Sequence, residues 1–353
     1  MLLLLGGVLA LAGCRGIPTK GEQLARQEQR EFANHFRPDG HPPTLPALSA
    51  TSSLDDFLRY AVLRHPKVEA GYYEWAASIE RITTARSLPD PVFTVGIDVQ
   101  KGLEDDVANM VMALMGGVMT ELPGPGKLRA RADLQTEESR AQFARFQSTS
   151  IEAALGARSA YYDLFLVEKR LAITEKNLAF VRDIEESARR RSEAGLSSLQ
   201  DVLQAESDVA RLESDLTSLK DQRTALVAVW KSALGIAPSE SDPPIPTTYQ
   251  FSTEDDVSTV TLARVLENNP RLRVLRAEIN RAEAGIAVAY RSRVPDFTLG
   301  LEAEAPTTAD TRNPRDTVWK PRVGVTVPIW RDRIAAEIAE AEAMRMAARA
   351  NYD

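Results

Sequence analysis

The side chains best suited to catalysis are few in this sequence of 353 residues. Its three histidines, His35, His41 and His65, stand in or beside predicted loops, without cysteine partners and without the spacing of metal ligands. No glycine-rich phosphate-binding loop occurs in the sequence either. These observations predict a protein that is not an enzyme, that holds no metal or other cofactor, and whose histidines are solvated.

The single cysteine, Cys14, offers a different chemistry. It follows a short apolar run and the small residues Ala12 and Gly13, a pattern that resembles a bacterial lipobox. In a lipobox the signal is cleaved before the cysteine, whose thiol then carries diacylglycerol. We therefore expect residues 1–13 to be a lipoprotein signal peptide and Cys14 to carry a covalent lipid; a secretory signal with an incidental cysteine is the alternative. Arg15, standing where an aspartate would favour inner-membrane retention, favours the outer membrane.

Three carboxylates occur in segments that alternate apolar and polar residues, as half-buried β-strands do. Residues 93–99 and 297–304 both alternate, and Asp98, Glu302 and Glu304 belong to their polar sets. If the strands surround a lumen, these carboxylates would line it and favour cations, or they would only hydrate it.

The strand predicted after the first of these segments carries four methionines, Met110, Met112, Met115 and Met119. Methionine can bind copper, but methionine packed on a strand or facing lipid is the commoner case. We therefore predict no metal site here.

An internal repeat positions the predicted strands. Pro66 recurs 204 positions later as Pro270, and Pro91-Val-Phe-Thr-Val-Gly96 recurs at the same offset as Pro295-Asp-Phe-Thr-Leu-Gly300. Each copy predicts a helix, a break at the proline, a second helix and two strands. The predicted hairpins span residues 92–122 and 297–327.

Between the two hairpins, residues 126–237 are rich in charge and contain no proline. Residues 128–191 predict a single helix about 95 Å long. Gly195 permits a turn into a second helix over 198–234, whose apolar residues step by three and four through more than four heptads with Arg223 as the one polar member. Ser53, followed by two aspartates, predicts the start of the first helix of the repeat.

Composition supports long helices over a thick core, since 26% of the residues are charged and only 6% are aromatic. The net charge of −7 argues against binding to nucleic acid. If the four strands lie in a membrane they cannot close alone, because the smallest outer-membrane barrels have about eight strands and an open edge in lipid is costly. Two copies would make a narrow, filled barrel, whereas three copies would supply twelve strands and leave a lumen.

Together these features resemble the TolC-type outer-membrane efflux family over residues 53–353. The motifs that carry the resemblance are Leu88-Pro-Asp-Pro91, Pro123-Gly-Pro-Gly-Lys127 and Gly195-Leu-Ser-Ser-Leu-Gln-Asp-Val-Leu-Gln-Ala205, within a duplicated helix–strand–strand–helix order. The resemblance implies a mainly α fold with a small β part, in which long coiled-coil hairpins carry four transmembrane strands of a trimeric 12-stranded barrel. It also implies a passive duct in the outer membrane, with helices projecting into the periplasm. Such a duct exports drugs or metal ions for an inner-membrane pump of the resistance–nodulation–division class, through a periplasmic adaptor.

The resemblance also assigns residues and segments. Gly195, Leu196, Ser197 and Ser198 would form a tip that docks the adaptor, where Gly195 would also end one helix and Ser197 or Ser198 cap the next. The implied segments are the signal 1–13, a lipid anchor and proline-rich tether 14–52, a first repeat 53–235 with its long hairpin 127–234, a linker 236–258, and a second repeat 259–353. We expect the second repeat to be truncated, without the second tip that supplies the family's pore constriction.

A second hypothesis is a periplasmic coiled-coil lipoprotein with a structural or adaptor role. It explains Cys14 and the heptads, but it leaves the two matched hairpins unexplained. It predicts a soluble core after removal of the lipid, whereas a duct depends on detergent.

Overall fold

A computed structural model describes residues 18–37, 41–101, 110–247, 266–306 and 317–353. They form two compact units. The described residues of the sheet unit lie within 18–31, 74–144 and 271–353, and those of the helical unit within 32–73 and 145–270. Over the described ranges, none of the helices combines the length and apolar character needed to cross a membrane. Cys14 and the predicted signal peptide lie outside these ranges.

The fold is mainly helical with a small sheet, as the sequence predicts. The helices are α1 (Lys20–Phe36), α2 (Leu54–Arg64), α3 (Pro66–Arg86), α4 (Lys127–Glu193), α5 (Leu199–Ala233), α6 (Pro270–Arg291) and α7 (Arg331–Tyr352). The strands are β1 (Val92–Lys101), β2 (Met110–Leu122), β3 (Asp296–Pro306) and β4 (Val318–Thr326).

The start of α2 and its break before α3 follow directly from local sequence. The Ser53 hydroxyl accepts a hydrogen bond from the Asp56 N–H (3.2 Å), and the Asp56 carboxylate accepts one from the Ser53 N–H (3.1 Å). This capping box satisfies two N–H groups that the helix itself leaves without partners. Pro66 then begins α3, because proline fits a first helical turn but not a helix interior. Both predictions are confirmed.

The long hairpin is also confirmed, with 67 residues in α4 and 35 in α5. In the helical unit, the heptad seam of α5 faces α4. Its one polar member, Arg223, lies with Nε 2.5 Å from Oε1 of Glu168 on α4. The seam therefore tolerates an arginine because the facing helix supplies a carboxylate.

Aromatic side chains form the centre of the helical unit. The ring of Phe57 lies 5.1 Å from that of Trp230 and 5.9 Å from that of Tyr161, and all three side chains are fully buried. The indole N–H of Trp230 donates to the Pro244 carbonyl (3.3 Å). This cluster ties α2 to α4, to α5 and to the segment that follows α5, and each buried aromatic contributes about 2–3 kcal/mol of hydrophobic stabilisation.

The sheet joins the two repeats through their inner strands. Its order is β1-β2-β3-β4, and every neighbouring pair is antiparallel. The β2–β3 register sets Leu122 opposite Phe297 and Val118 opposite Leu301. Among the described residues, β1 and β4 are the two edge strands.

Helix α1 differs from the proline-rich tether that the sequence predicts over residues 14–52. The prolines of that segment flank the helix, since Pro18 precedes it and the others follow from Pro38 onward. The buried or partly buried positions Glu22, Ala25, Phe32 and Phe36 have the spacing of one helix face. His35, placed by the sequence in or beside a loop, lies in this helix.

A buried carboxylate fixes the first part of α1 within the sheet unit. The Glu22 side chain is fully buried, 3.1 Å from Nε of Arg26 and 2.8 Å from Nε of Arg86 on α3. Arg26 also donates to both carboxylate oxygens of Glu80 (2.9 and 3.2 Å), and these hydrogen bonds lower the pKa of Glu80. Two arginines thus share two carboxylates between α1 and α3.

Substitution of Glu22 tests this arrangement. Because Glu22→Ala leaves the largely buried Arg86 guanidinium without its counter-charge, we expect the free energy of unfolding to fall by about 3 kcal/mol in urea denaturation. Glu28→Ala, at an exposed position of the same helix, should change it by less than about 0.5 kcal/mol. Equal effects of the two substitutions would contradict a role for the cluster in docking α1.

Candidate functional site: a two-faced sheet and the tip of a helical hairpin

The sheet has one continuous apolar face that is open to solvent. Phe93, Val95 and Val323 are 76%, 82% and 74% exposed. Strand alternation and register place side chains from all four strands on this face: Phe93, Val95, Ile97, Leu114, Val118, Phe297, Leu299, Leu301, Trp319, Val323 and Val325. An exposed apolar patch that crosses a whole sheet indicates contact with lipid or with another protein.

The opposite face, called here the polar face, combines small and charged residues. The register sets Thr94 opposite Gly117 and Thr298 opposite Gly324, so a small residue lies beside each threonine. A Cβ atom at Gly324 would lie 2.3 Å from the Thr298 hydroxyl oxygen, which explains the glycine there. The alternation predicted for both hairpins is therefore confirmed.

The structure describes the side-chain environments of two of the three predicted lumen carboxylates. Asp98 pairs with Ala113 through the backbone, and its side chain lies outside the described part. Glu302 and Glu304 belong to the polar face, but each has a cationic partner on β4. The Glu302 Oε2 lies 2.5 Å from Nη2 of Arg322, and Glu304 accepts a hydrogen bond from the Lys320 ammonium.

Sequence reasoning missed Lys320 and Arg322, although a signal for them existed. Both are out of phase with Val323 and Val325, so alternation alone places them on the polar face. The carboxylate that Lys320 or Arg322 contacts depends on the β3–β4 register. The sequence of the connecting residues 307–316 does not determine that register.

Two of the four methionines, Met115 and Met119, have side chains in the described part of β2. Strand alternation places both on the polar face. Met119 is 42% exposed on the polar face, opposite Gly300. Within the described ranges, no group of three or more His, Cys, Asp or Glu side chains could hold a metal ion.

Two of the histidines can be placed near chain turns. His41 is exposed, whereas His65 is partly buried at the C-cap of α2, where its Nδ1 accepts from the Lys67 N–H (3.2 Å). Burial and the charge of Lys67 lower the pKa of His65. His65 therefore lies beside a turn, as the sequence predicts, and its ring is partly buried.

A charged clamp holds β3 to the exit of β2 within the sheet unit. Asp296, the first residue of β3, accepts a hydrogen bond from the Gly124 N–H (2.7 Å) and lies 2.7 Å from Nζ of Lys127. A Cβ atom at Gly124 would lie 2.2 Å from the Pro295 carbonyl oxygen, so only glycine permits this approach. The clamp fixes the register in which the two repeats meet.

The predicted tip lies in the helical unit, where α4 ends and α5 begins. Gly195 has φ +69°, and its N–H and that of Leu196 donate to the carbonyls of Ser192 (3.0 Å) and Arg191 (2.7 Å), which is a Schellman motif. The Ser198 hydroxyl then accepts from the Asp201 N–H (3.3 Å), so Ser198 is the N-cap of α5. The alternative that Ser197 is the cap is wrong, since its hydroxyl donates to the Ala188 carbonyl (3.3 Å).

The tip also exposes apolar side chains that its turn does not require. Leu196 is 72% exposed, Leu199 68% and Leu203 56%. These three leucines lie within eight residues of the turn and do not contribute to a core.

The fold is shared with several outer-membrane channels of known structure. VceC, an outer membrane protein of Vibrio cholerae, has a TM-score of 0.66 at 18% identity, covering 85% of this chain and 74% of VceC. The MtrE outer membrane channel of Neisseria gonorrhoeae has a TM-score of 0.67 at 15% identity, covering 88% and 74%. CusC, whose structures are described in terms of transmembrane channel formation, has a TM-score of 0.71 at 15% identity, covering 86% and 72%. At these identities the likeness establishes the fold.

Part of the sequence matches a family model. Residues 81–235 match the outer membrane efflux protein family, a span that contains β1, β2, α4, the tip and α5. The predicted resemblance to the TolC-type outer-membrane efflux family is thereby confirmed over this span, and the matched family is one of channels rather than enzymes. No curated protein matches the chain in sequence.

Two glycines in the same backbone conformation allow the tip to be compared with an internal turn. Gly195→Ala should cost about 1 kcal/mol of unfolding free energy, because φ is positive but no atom lies within 4 Å of the new Cβ. Gly235→Ala should cost about 3 kcal/mol or more, because its Cβ would lie 2.8 Å from the His65 Cα at nearly the same φ, +68°. Equal costs in chemical denaturation would show that the surroundings of the two turns do not differ as described.

Proposed function

We propose that this chain is a subunit of a passive efflux duct in the outer membrane. Cargo, such as drugs or metal ions, would pass along the polar face of the sheet, driven by an inner-membrane pump and delivered through a periplasmic adaptor. The observation that carries this proposal is the combination of a solvent-exposed apolar face with a polar face on the same four strands.

Physical chemistry favours lipid as the environment of the apolar face. In water the exposed side chains of Phe93, Val95 and Val323 would form a patch that promotes aggregation. In a bilayer the same side chains are favourable, and a strand of nine to thirteen residues suits the hydrocarbon thickness. The polar face then meets water on the other side of the sheet.

Several copies are needed to complete the sheet. Edge strands β1 and β4 each present backbone N–H and C=O groups that cost several kcal/mol apiece if left without partners in hydrocarbon. Pairing β4 of one copy with β1 of the next removes this cost only when the sheet closes on itself. Three copies of four strands would enclose a lumen, so the proposed assembly is a homotrimer.

Two further parts of the proposal concern anchoring and docking. A diacylglycerol on Cys14 would hold the chain to the outer membrane, with its helices in the periplasm. Leu196 and its neighbours Gly195, Ser197 and Ser198 would meet the adaptor, since the exposed Leu196 provides the apolar contact that the turn itself does not use.

Adjacent residues on opposite faces of β1 test the membrane assignment. Val95→Arg places a cation on the apolar face and should destabilise the inserted sheet by about 2–4 kcal/mol, whereas Gly96→Arg should be tolerated because nothing lies within 4 Å of its Cβ position. The measurement is the mass of the detergent-extracted oligomer by light scattering. We expect a detergent-dependent trimer for the unaltered chain and for Gly96→Arg, and loss of extractable trimer for Val95→Arg.

A detergent-independent monomer or dimer would overturn the duct. It would favour instead the periplasmic coiled-coil lipoprotein, whose core is soluble once the lipid is removed. Loss of the trimer with both arginine substitutions would contradict the assignment of the two faces.

A photo-reactive amino acid at position 196 tests the docking surface in intact cells. We expect cross-linking to a periplasmic adaptor, identified by mass spectrometry. The control is position 155 on α4, whose leucine is also exposed (58%) but lies far from the turn along the helix. Cross-links of equal yield at both positions, or none at 196, would contradict docking at the tip.

A further inference from the structure

The polar face carries two cations that shield its carboxylates. Arg322 and Lys320 of β4 are paired with Glu302 and Glu304 of β3. In the register Arg322 lies opposite Gly300 and Lys320 opposite Glu302, so each cation reaches diagonally along β3 to its partner. Diagonal neighbours lie within reach of long side chains.

Exposure differs between the partners in a consistent way. The Arg322 and Lys320 side chains are 60% and 45% exposed, whereas those of Glu302 and Glu304 are 18% and 20% exposed. The carboxylates are therefore covered, and the groups that meet solvent at this level are a guanidinium and an ammonium. A lining that favours cations through Glu302 and Glu304 would require these carboxylates to meet solvent without such partners.

We propose that Lys320 and Arg322 determine the charge selectivity of the duct. By neutralising Glu302 and Glu304 and standing in front of them, they keep this level of the lining open to anionic solutes. Rings of like charge inside a pore select ions of opposite sign. Removing the two cations would expose rings of carboxylate, which would favour cations. This inference rests on the proposed function, since it requires the polar face to line the conducting path.

The test is the reversal potential of the purified chain in planar lipid bilayers under a KCl gradient near 0.1 M. Lys320→Gln and Arg322→Gln should each raise the ratio of potassium to chloride permeability by about twofold or more, and Glu302→Gln and Glu304→Gln should lower it. Near 1 M salt the Debye length falls to about 3 Å, so the shifts should shrink.

Paired substitutions provide the matched control. Lys320→Gln with Glu304→Gln, and Arg322→Gln with Glu302→Gln, each remove one positive and one negative charge. Both double variants should return the permeability ratio close to that of the unaltered chain. Arg322→Lys, which keeps the charge, should also leave the ratio unchanged and serves if Arg322→Gln does not assemble.

The outcomes separate this inference from the proposed function. Conductance with the same reversal potential in every single variant would overturn the inference and leave the duct intact. Double variants that shift as far as the single ones would also overturn it, because the effect would then be structural rather than electrostatic. An unaltered trimer that does not conduct would overturn the duct, and the inference with it.

Discussion

The pairing of β2 with β3 is the constraint on which the sheet depends. Side chains alternate along a strand, so the two repeats share an apolar face only if they meet in phase, and a shift of one residue would invert every side chain of one hairpin. Leu122 opposite Phe297 is the in-phase arrangement. Asp296 holds it in place, because its carboxylate binds both the Gly124 N–H and the Lys127 ammonium directly after β2 ends. The two faces, the two free edges and the position of the cations on β4 all follow from this register.

Much of this fold could be predicted from the sequence because the deciding interactions are local. The capping box at Ser53 involves residues three apart, and the break at Pro66 depends on one residue. The length of α4 follows from the lack of proline over a long charged segment. The duplication adds a second, independent copy of the strand pattern, which is why the four strands were predicted even where the methionines blur the alternation of β2.

Other features could not be predicted because they depend on contacts between distant segments. Glu302 and Glu304 read as free carboxylates in the sequence, and their partners Arg322 and Lys320 are fixed only by the β3–β4 register. Helix α1 is missed for a different reason: the prolines that follow it favour an extended tether, although its own apolar residues have helical spacing. The packing of α1 against α3 relies on Glu22, which is buried. A charged residue is normally predicted to lie on the surface, and only its arginine partners explain its burial.

The proposed docking role of the tip is supported by comparison with the turn at Gly235. Both turns use a glycine of positive φ and the same pair of backbone hydrogen bonds, so their backbones have equivalent requirements. At Gly235 the surrounding chain approaches closely, and the following Ile236 packs against the core of the helical unit. At Gly195 nothing approaches, and the following Leu196 is left in solvent. Folding therefore explains the residue after Gly235 but not the residue after Gly195, and the proposed adaptor contact would explain the apolar side chain of Leu196.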